Sequence, residues 1–312
     1  MRRAFAAALT ERAASDERIV LLTGDLGFAV LEPFAERHPN RFFNMGVAEQ
    51  NMLGVATGLA EAGFVPFAYS IATFAALRTY EFFRNGAVFH DLPVRLVGIG
   101  GGFDYDHNGA SHWALEDAAI MRAQPDVTIV IPADREQVST ALDEIAATAG
   151  PVYLRLARGG APVPGLEGRF KLGRAALIGS GEDIAIVVAG TLAHQAVAAR
   201  QLLADHGVGA TVCVVSSLNP APVDDLLELI RRVDATVTVD AGYLPGGLGS
   251  LVAEVMAEHG AVGSLVRLGV PALPRGLSGS EDWLNAQHGL NAAGITEAAL
   301  AQLNRGRTVR LA

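Results

Sequence analysis

The chain holds one cysteine in 312 residues, Cys213. No disulfide can form within it, and such usage fits a reducing compartment. Its place in the apolar run from Ala210 to Val215 marks a small buried hydrophobe rather than a nucleophile. Basic runs are missing too: 24 Lys and Arg face 33 Asp and Glu, a formal net charge of −9. That balance argues against a nucleic-acid or anionic-membrane surface, since either needs a concentrated basic face. No apolar stretch reaches the uninterrupted length of a membrane span. The N-terminal MRRAFAAALTERAASDER is broken by Glu11 and Arg12, too early for a secretory signal, so cytoplasm is the expected location. The sequence also lacks a G-x-G-x-x-G frame with a downstream ribose-binding acid, which excludes a nicotinamide dehydrogenase. No Lys-Ser/Thr continuation follows Gly100, Gly101 and Gly102, so they are not a phosphate loop.

What is present is a large apolar content, 50% of residues, arranged in short β-branched runs between Ala-rich stretches. RIVLLTGD, VPFAYS, VRLVGIG, VTIVIP and VYLRLA read as buried strands, with helices between them near 48–62, 73–89, 115–122 and 135–148. After a Gly- and Pro-rich stretch the alternation resumes with DIAIVVAG, ATVCVVSS, ATVTVD and SLVRLGV. Strands apolar on both faces and separated by helices imply parallel sheets between helix layers. The expected fold is therefore two successive three-layer α/β/α domains with mostly parallel sheets, over residues 1–165 and 183–312, joined by a linker at 166–182.

Two segments can carry chemistry. In FFNMGVAEQNMLGVATGLAEAG, a strand end runs through Gly46 into a helix whose first turn holds Glu49. An exposed first-turn acid favoured by the helix dipole is the plain reading. The small residues Gly54, Ala56, Gly58 and Ala60 and the apolar surroundings favour close approach by a ligand or another backbone. In GIGGGFDYDHNGASHWALED, a Gly-rich loop leaves the carboxyl end of a strand, where doubly wound sheets bind ligands. His107 and His112 lie there with Asp104, Asp106 and Asn108. A metal site is a weak rival, because the two histidines have no third ligand identifiable at metal spacing. Phe74, Leu77 and Tyr80 recur at helical spacing, which by periodicity alone marks a core stripe.

Taken in order along nearly the whole chain, these segments resemble the transketolase and deoxyxylulose-phosphate synthase family. NMGVAEQNM is similar to the family's helix with the cofactor-activating glutamate, which implies that role for Glu49. SIATFAALRTYEFFRN resembles the aromatic helix that packs on the aminopyrimidine ring of thiamine diphosphate, implying a cofactor pocket of Phe74, Leu77 and Tyr80. GDL resembles a segment beside the cofactor, implying contacts from Asp25 and Leu26. NGASHWALED resembles the family's D-G-P-T-H-Q-x-x-E, with His112 as the substrate-facing histidine and Glu116 as the acid that follows. YLRLARG resembles the strand end whose arginine, Arg158, meets a substrate phosphate. The GTLAHQAV and PGGLGS turns resemble the family's C-terminal domain, which supports assembly.

The resemblance also has gaps. The family's G-D-G motif and paired asparagines, which hold the diphosphate and its Mg2+ or Ca2+, have no counterpart here. The expectation is a partner subunit of the diphosphate-binding type in an α2β2 assembly. Asn108 stands where the family carries an acid that senses a sugar hydroxyl, and Gly100 where transketolases carry a histidine. An unconventional ketose follows, with His107 and Tyr105 as replacement readers. In the implied reaction, transfer of a two-carbon ketol unit from a ketose to an aldehyde, Glu49 donates a hydrogen bond to the pyrimidine, its pKa raised by an apolar interface pocket. His112 handles the substrate's protons. The open alternatives are the β subunit of a 2-oxoacid dehydrogenase, a deoxyxylulose-phosphate-synthase-like carboligase, and a non-catalytic assembly subunit.

Overall fold

A computed structural model describes residues 1–311, with side chains described through Asn304. The strands are β1 (Ile19–Thr23), β2 (Phe42–Asn44), β3 (Val65–Ile71), β4 (Arg95–Ile99), β5 (Thr128–Val130), β6 (Val152–Leu156), β7 (Ala176–Ile178), β8 (Ile184–Val188), β9 (Ala210–Val214), β10 (Ser217–Asn219), β11 (Ala235–Tyr243) and β12 (Ser264–Val270). All nine runs read as strands contain one. β1, β4, β6, β8 and β9 are buried along their whole length, as strands covered by helices on both faces must be.

They form two sheets, of order β10-β5-β6-β4-β3-β1-β2 and β12-β11-β8-β9-β7. Pairing is parallel except at one edge of each sheet, where β10 runs antiparallel to β5 and β7 antiparallel to β9. Two α/β domains with mostly parallel sheets are thus present. β7 falls within the stretch expected as linker and completes the second sheet. β10, which follows β9 in sequence, crosses back to complete the first.

The two sheets also share a core. One apolar cluster runs from Leu22 and Met52 through Ile129 and Tyr153 to Val187, Cys213 and Leu226. Cys213 is fully buried, and burial pushes its thiol up to about 12, so it stays a protonated hydrophobe. Among the described residues no helix is long and apolar enough to cross a membrane.

The helices mostly follow the sequence pattern, over Glu49–Glu61, Asp117–Arg122 and Arg135–Ala146. The last begins where it does because the Asp134 carboxylate accepts from the N–H groups of Glu136 and Gln137, both at 2.9 Å. The segment expected as one helix over 73–89 is different. It is a π-helix over Phe74–Arg78, an α turn over Tyr80–Phe82 and a second π-helix over Phe83–Val88. The Thr79 hydroxyl donates back to the Ala75 carbonyl, a local bond that bends helices. Gly86 lets this segment approach the helix Glu49–Glu61, since a Cβ there would lie 2.6 Å from Thr57 Oγ1.

Candidate active site

Glu49 is the first residue of its helix and is 3% exposed. A buried carboxylate needs donors, and it has two. Ser70 Oγ on β3 donates to Oε1 at 3.1 Å, and Arg78 Nη1 donates to Oε2 at 2.9 Å. Gly24, at the end of β1, lies behind it, where a Cβ would sit 3.5 Å from Oε1.

Asn44 fixes the approach to this helix. Its Oδ1 accepts from Asp25 N at 3.2 Å and Gly46 N at 3.0 Å, while Nδ2 donates to Asp25 Oδ1 at 3.0 Å. These bonds tie the ends of β1 and β2 together and hold Asp25 at φ +57°, a conformation Asp tolerates through local polar bonding. Asp25 and Leu26 line a neighbouring cleft, with about 530 Å³ of empty space, together with Thr23, Phe28, Phe42 and Asn44. Leu26 is held by its carbonyl, which accepts from Thr23 Oγ1 at 2.7 Å.

A row of planar groups leads away from Glu49. The Arg78 guanidinium carbon lies 3.9 Å from the centroid of the Phe74 ring. Phe74 meets the His112 ring edge-on at 5.2 Å, and His112 lies 5.9 Å from the Tyr105 ring. The Arg158 guanidinium lies 5.2 Å over the other end, at Tyr105. His112 Nδ1 is 3.0 Å from Ser111 Oγ. The structure therefore brings Glu49, Phe74, His112 and Arg158 into one continuous line.

The other expected residues stand apart from that line. Leu77 is 42% exposed. The Tyr80 hydroxyl accepts from Gln124 Nε2 at 2.5 Å. His107 is 68% exposed with Nδ1 3.3 Å from Asp106 Oδ1, and Asn108 is exposed beside it. Glu116 accepts from Leu115 N at 3.1 Å.

The loop over residues 100–115 is firmly seated. Trp113 is buried, donates to the Asp106 carbonyl at 2.9 Å and packs edge-on against Phe103 at 5.1 Å. Gly100 has φ +82°, and a Cβ there would lie 2.3 Å from Tyr105 Cε2. The Tyr105 ring fills the space that a side chain at Gly100 would need.

Acids surround the Arg158 end. Arg158 Nη1 donates to the Asp104 carbonyl at 2.9 Å and lies 3.9 Å from Asp106 Oδ2, while its backbone N–H donates to the Asp104 carboxylate. Burial pushes the Asp104 carboxyl up. The His107 N–H bonded to Asp106 holds that carboxyl down. Glu281, from the second domain, is pushed up to about 7 by burial and by nearby Asp104, Asp282 and Asp106.

The residues present suit the pyrimidine ring of thiamine diphosphate. They offer a buried hydrogen-bonding carboxyl, an adjacent aromatic ring and, at Gly24, a neighbour with no side chain beside that carboxyl. Among the described residues no group of three or more His, Cys, Asp or Glu could hold a metal ion. Ser70, Arg78 and Asn44 are site residues that the sequence reading missed. Asn44 had a signal, standing two residues before Gly46 at the strand end.

Comparison with known proteins identifies the two domains. Residues 1–163 match the transketolase pyrimidine binding domain and residues 173–295 the transketolase C-terminal domain. A putative transketolase C-terminal section from Methanocaldococcus jannaschii is 34% identical over 310 residues, covering 98% of this chain and 96% of that protein. The 6-deoxy-6-sulfo-D-fructose transketolase subunit SqwH of Clostridium sp. (strain MSTE9) is 37% identical, covering 93% of this chain and 90% of that protein. A solved structure described as a split gene transketolase, inactive beta4 tetramer, superposes with a TM-score of 0.89 at 37% identity, covering 97% of this chain and 98% of that one. The chain belongs to the transketolase family, of which it carries the pyrimidine-binding and C-terminal domains.

Proposed function

We propose that this chain is the activating half of a two-subunit, thiamine-diphosphate-dependent transketolase, moving a two-carbon ketol unit from a ketose to an aldehyde. The observation that carries the reading is the unbroken line from buried Glu49 through Phe74 and His112 to Arg158. It sets a ring-binding carboxyl at one end and an anion-binding guanidinium at the other. A protein with the same two domains occurs as an inactive β4 tetramer, and relatives are named as transketolase subunits, which supports dependence on a second chain. That chain supplies the groups for the diphosphate and its Mg2+ or Ca2+, in an α2β2 assembly.

When bound, thiamine diphosphate supplies the nucleophilic carbon that carries the two-carbon unit. Glu49 would hydrogen-bond a nitrogen of its pyrimidine and orient the ring, and Phe74, Asp25 and Leu26 would hold it. His112 holds or takes the proton of the donor's hydroxyl as the carbon–carbon bond breaks, and returns one as the new bond forms. Arg158 binds an anionic terminus. SqwH is named for a sulfo-sugar and another relative for apulose 4-phosphate, and both names carry an anion at a sugar end. The Tyr105 ring over Gly100, with exposed His107 and Asn108 at the rim, distinguishes the ketose from an ordinary pentose phosphate.

The test is reconstitution with the diphosphate-binding subunit and a ketose panel. Glu49→Gln is expected to lower turnover by about 100-fold or more, the range of general acid–base effects, without loss of the fold by circular dichroism. Near-normal turnover would refute the assignment.

A further inference from the structure

Arg78 has no place in that reading, yet it holds the centre of the site. Glu49 has one oxygen on Ser70 and the other on Arg78. Phe74 has an edge contact to His112, and the Arg78 guanidinium over its face. A guanidinium is flat, with N–H donors along its edge and a face that stacks on aromatic rings. The aminopyrimidine of the cofactor is flat as well, and the function proposed above gives it the same two partners, the Glu49 carboxyl and the Phe74 face.

We infer that Arg78 is a displaceable occupant of the cofactor's ring seat, holding Glu49 and Phe74 in the unloaded subunit and swinging aside when the cofactor enters. Several features fit a movable role. Arg78 is 45% exposed on its side chain while its partner Glu49 is 3% exposed, so the guanidinium can leave toward solvent and the carboxylate cannot. It sits at the last position of a π-helix, a helix form frequent at functional sites.

Such an occupant makes the binding-competent state a fraction of the whole and weakens apparent affinity by that fraction. Removing it should strengthen cofactor binding, the opposite of what removing a cofactor ligand does. The experiment is a calorimetric titration of the reconstituted two-subunit enzyme with thiamine diphosphate and Mg2+, comparing wild type with Arg78→Met and Arg78→Lys. Arg78→Met keeps an unbranched apolar stem but neither the charge nor the planar face, and Kd is expected to fall by about tenfold, as for removal of an occupant that closes about nine sites in ten. Arg78→Lys keeps the charge without the plane and is expected to fall between the two. It remains informative if Arg78→Met does not fold. Unchanged or weaker binding in the variant that folds would overturn the inference.

The inference rests on the assignment of Glu49 and Phe74, and Glu49→Gln separates the two. If Glu49→Gln binds cofactor and turns over like wild type, the assignment itself is wrong and the inference falls with it. If Glu49→Gln is impaired but neither Arg78 variant binds more tightly, the assignment stands and the occupant role fails.

Discussion

Glu281 shows how much one side chain can bias the Arg158 end of the candidate site. It lies in the first turn of the helix Glu281–Gln287, begun by Ser280, whose hydroxyl accepts from Trp283 N at 3.3 Å. Burial comes first among the causes that push its carboxyl up to about 7, followed by Asp104, Asp282 and Asp106, with Arg158 opposing. Its folded pKa thus lies above its unfolded value, so the native state holds the proton more tightly. The stabilisation is full below the unfolded pKa and is lost as pH rises toward about 7. Glu281→Gln should therefore be more stable than wild type at pH 8, and the difference should vanish by pH 4. Thermal melts of both proteins across that range check this, and identical pH profiles would count against it. The contacts with the Asp104 carbonyl and the Asp106 carboxylate also hold the Arg158 guanidinium in place.

At the scale of elements, the π-α-π segment over residues 74–88 sets the surroundings of Glu49. It carries Phe74 and Arg78 at one end and packs through Gly86 onto Thr57 of the helix that begins at Glu49. Gly86→Val would drive a branched side chain into Thr57, whose Oγ1 lies 2.6 Å from the ideal Cβ. Overpacking of this kind costs about 1–3 kcal/mol. The urea midpoint should fall accordingly and cofactor affinity with it, because the two walls of the ring seat are forced apart. A variant with unchanged midpoint and affinity would show that the contact is slack. The long strands were legible because covering helices make them apolar on both faces. β2 was legible only as a strand end before Gly46, and β7 and β10 were not legible, since each is a strand only by virtue of its antiparallel neighbour at a sheet edge. The helix Arg2–Ser15 was weighed only as a targeting signal. Much of the site was legible because Glu49, Phe74 and His112 sit in local motifs. Ser70 and Arg78 were not, being 21 and 29 residues from the carboxylate they hold.

For the molecule as a whole, the decisive group is Arg155 on β6. It is 5% exposed and reaches Asp117 Oδ1 at 3.1 Å in the first domain and Asp240 Oδ1 at 3.5 Å in the second. Tyr153 adds a 2.6 Å hydrogen bond to Asp117 Oδ2. Burial works to lower the Arg155 guanidinium, but the two carboxylates reverse the sign and keep it charged. Arg155→Met would leave both carboxylates buried without their counter-ion, a loss of about 3–5 kcal/mol. The shared core and the crossing strand β10 predict that unfolding of the described residues stays a single transition at the lower midpoint. Two separated transitions in a urea titration, or a midpoint that does not move, would contradict this.

The same crossing strand matters while the chain is still being made. Val130 on β5 pairs with Ser217, which the ribosome adds only after the β7, β8 and β9 segments of the second domain. Until then the nascent first sheet carries a bare Thr128–Val130 edge, and unpaired edges recruit whatever strand is near. Synthesis of the second domain is therefore what ends the first domain's exposure to mispairing. A ribosome stalled before Ser217 would release a sheet one strand short.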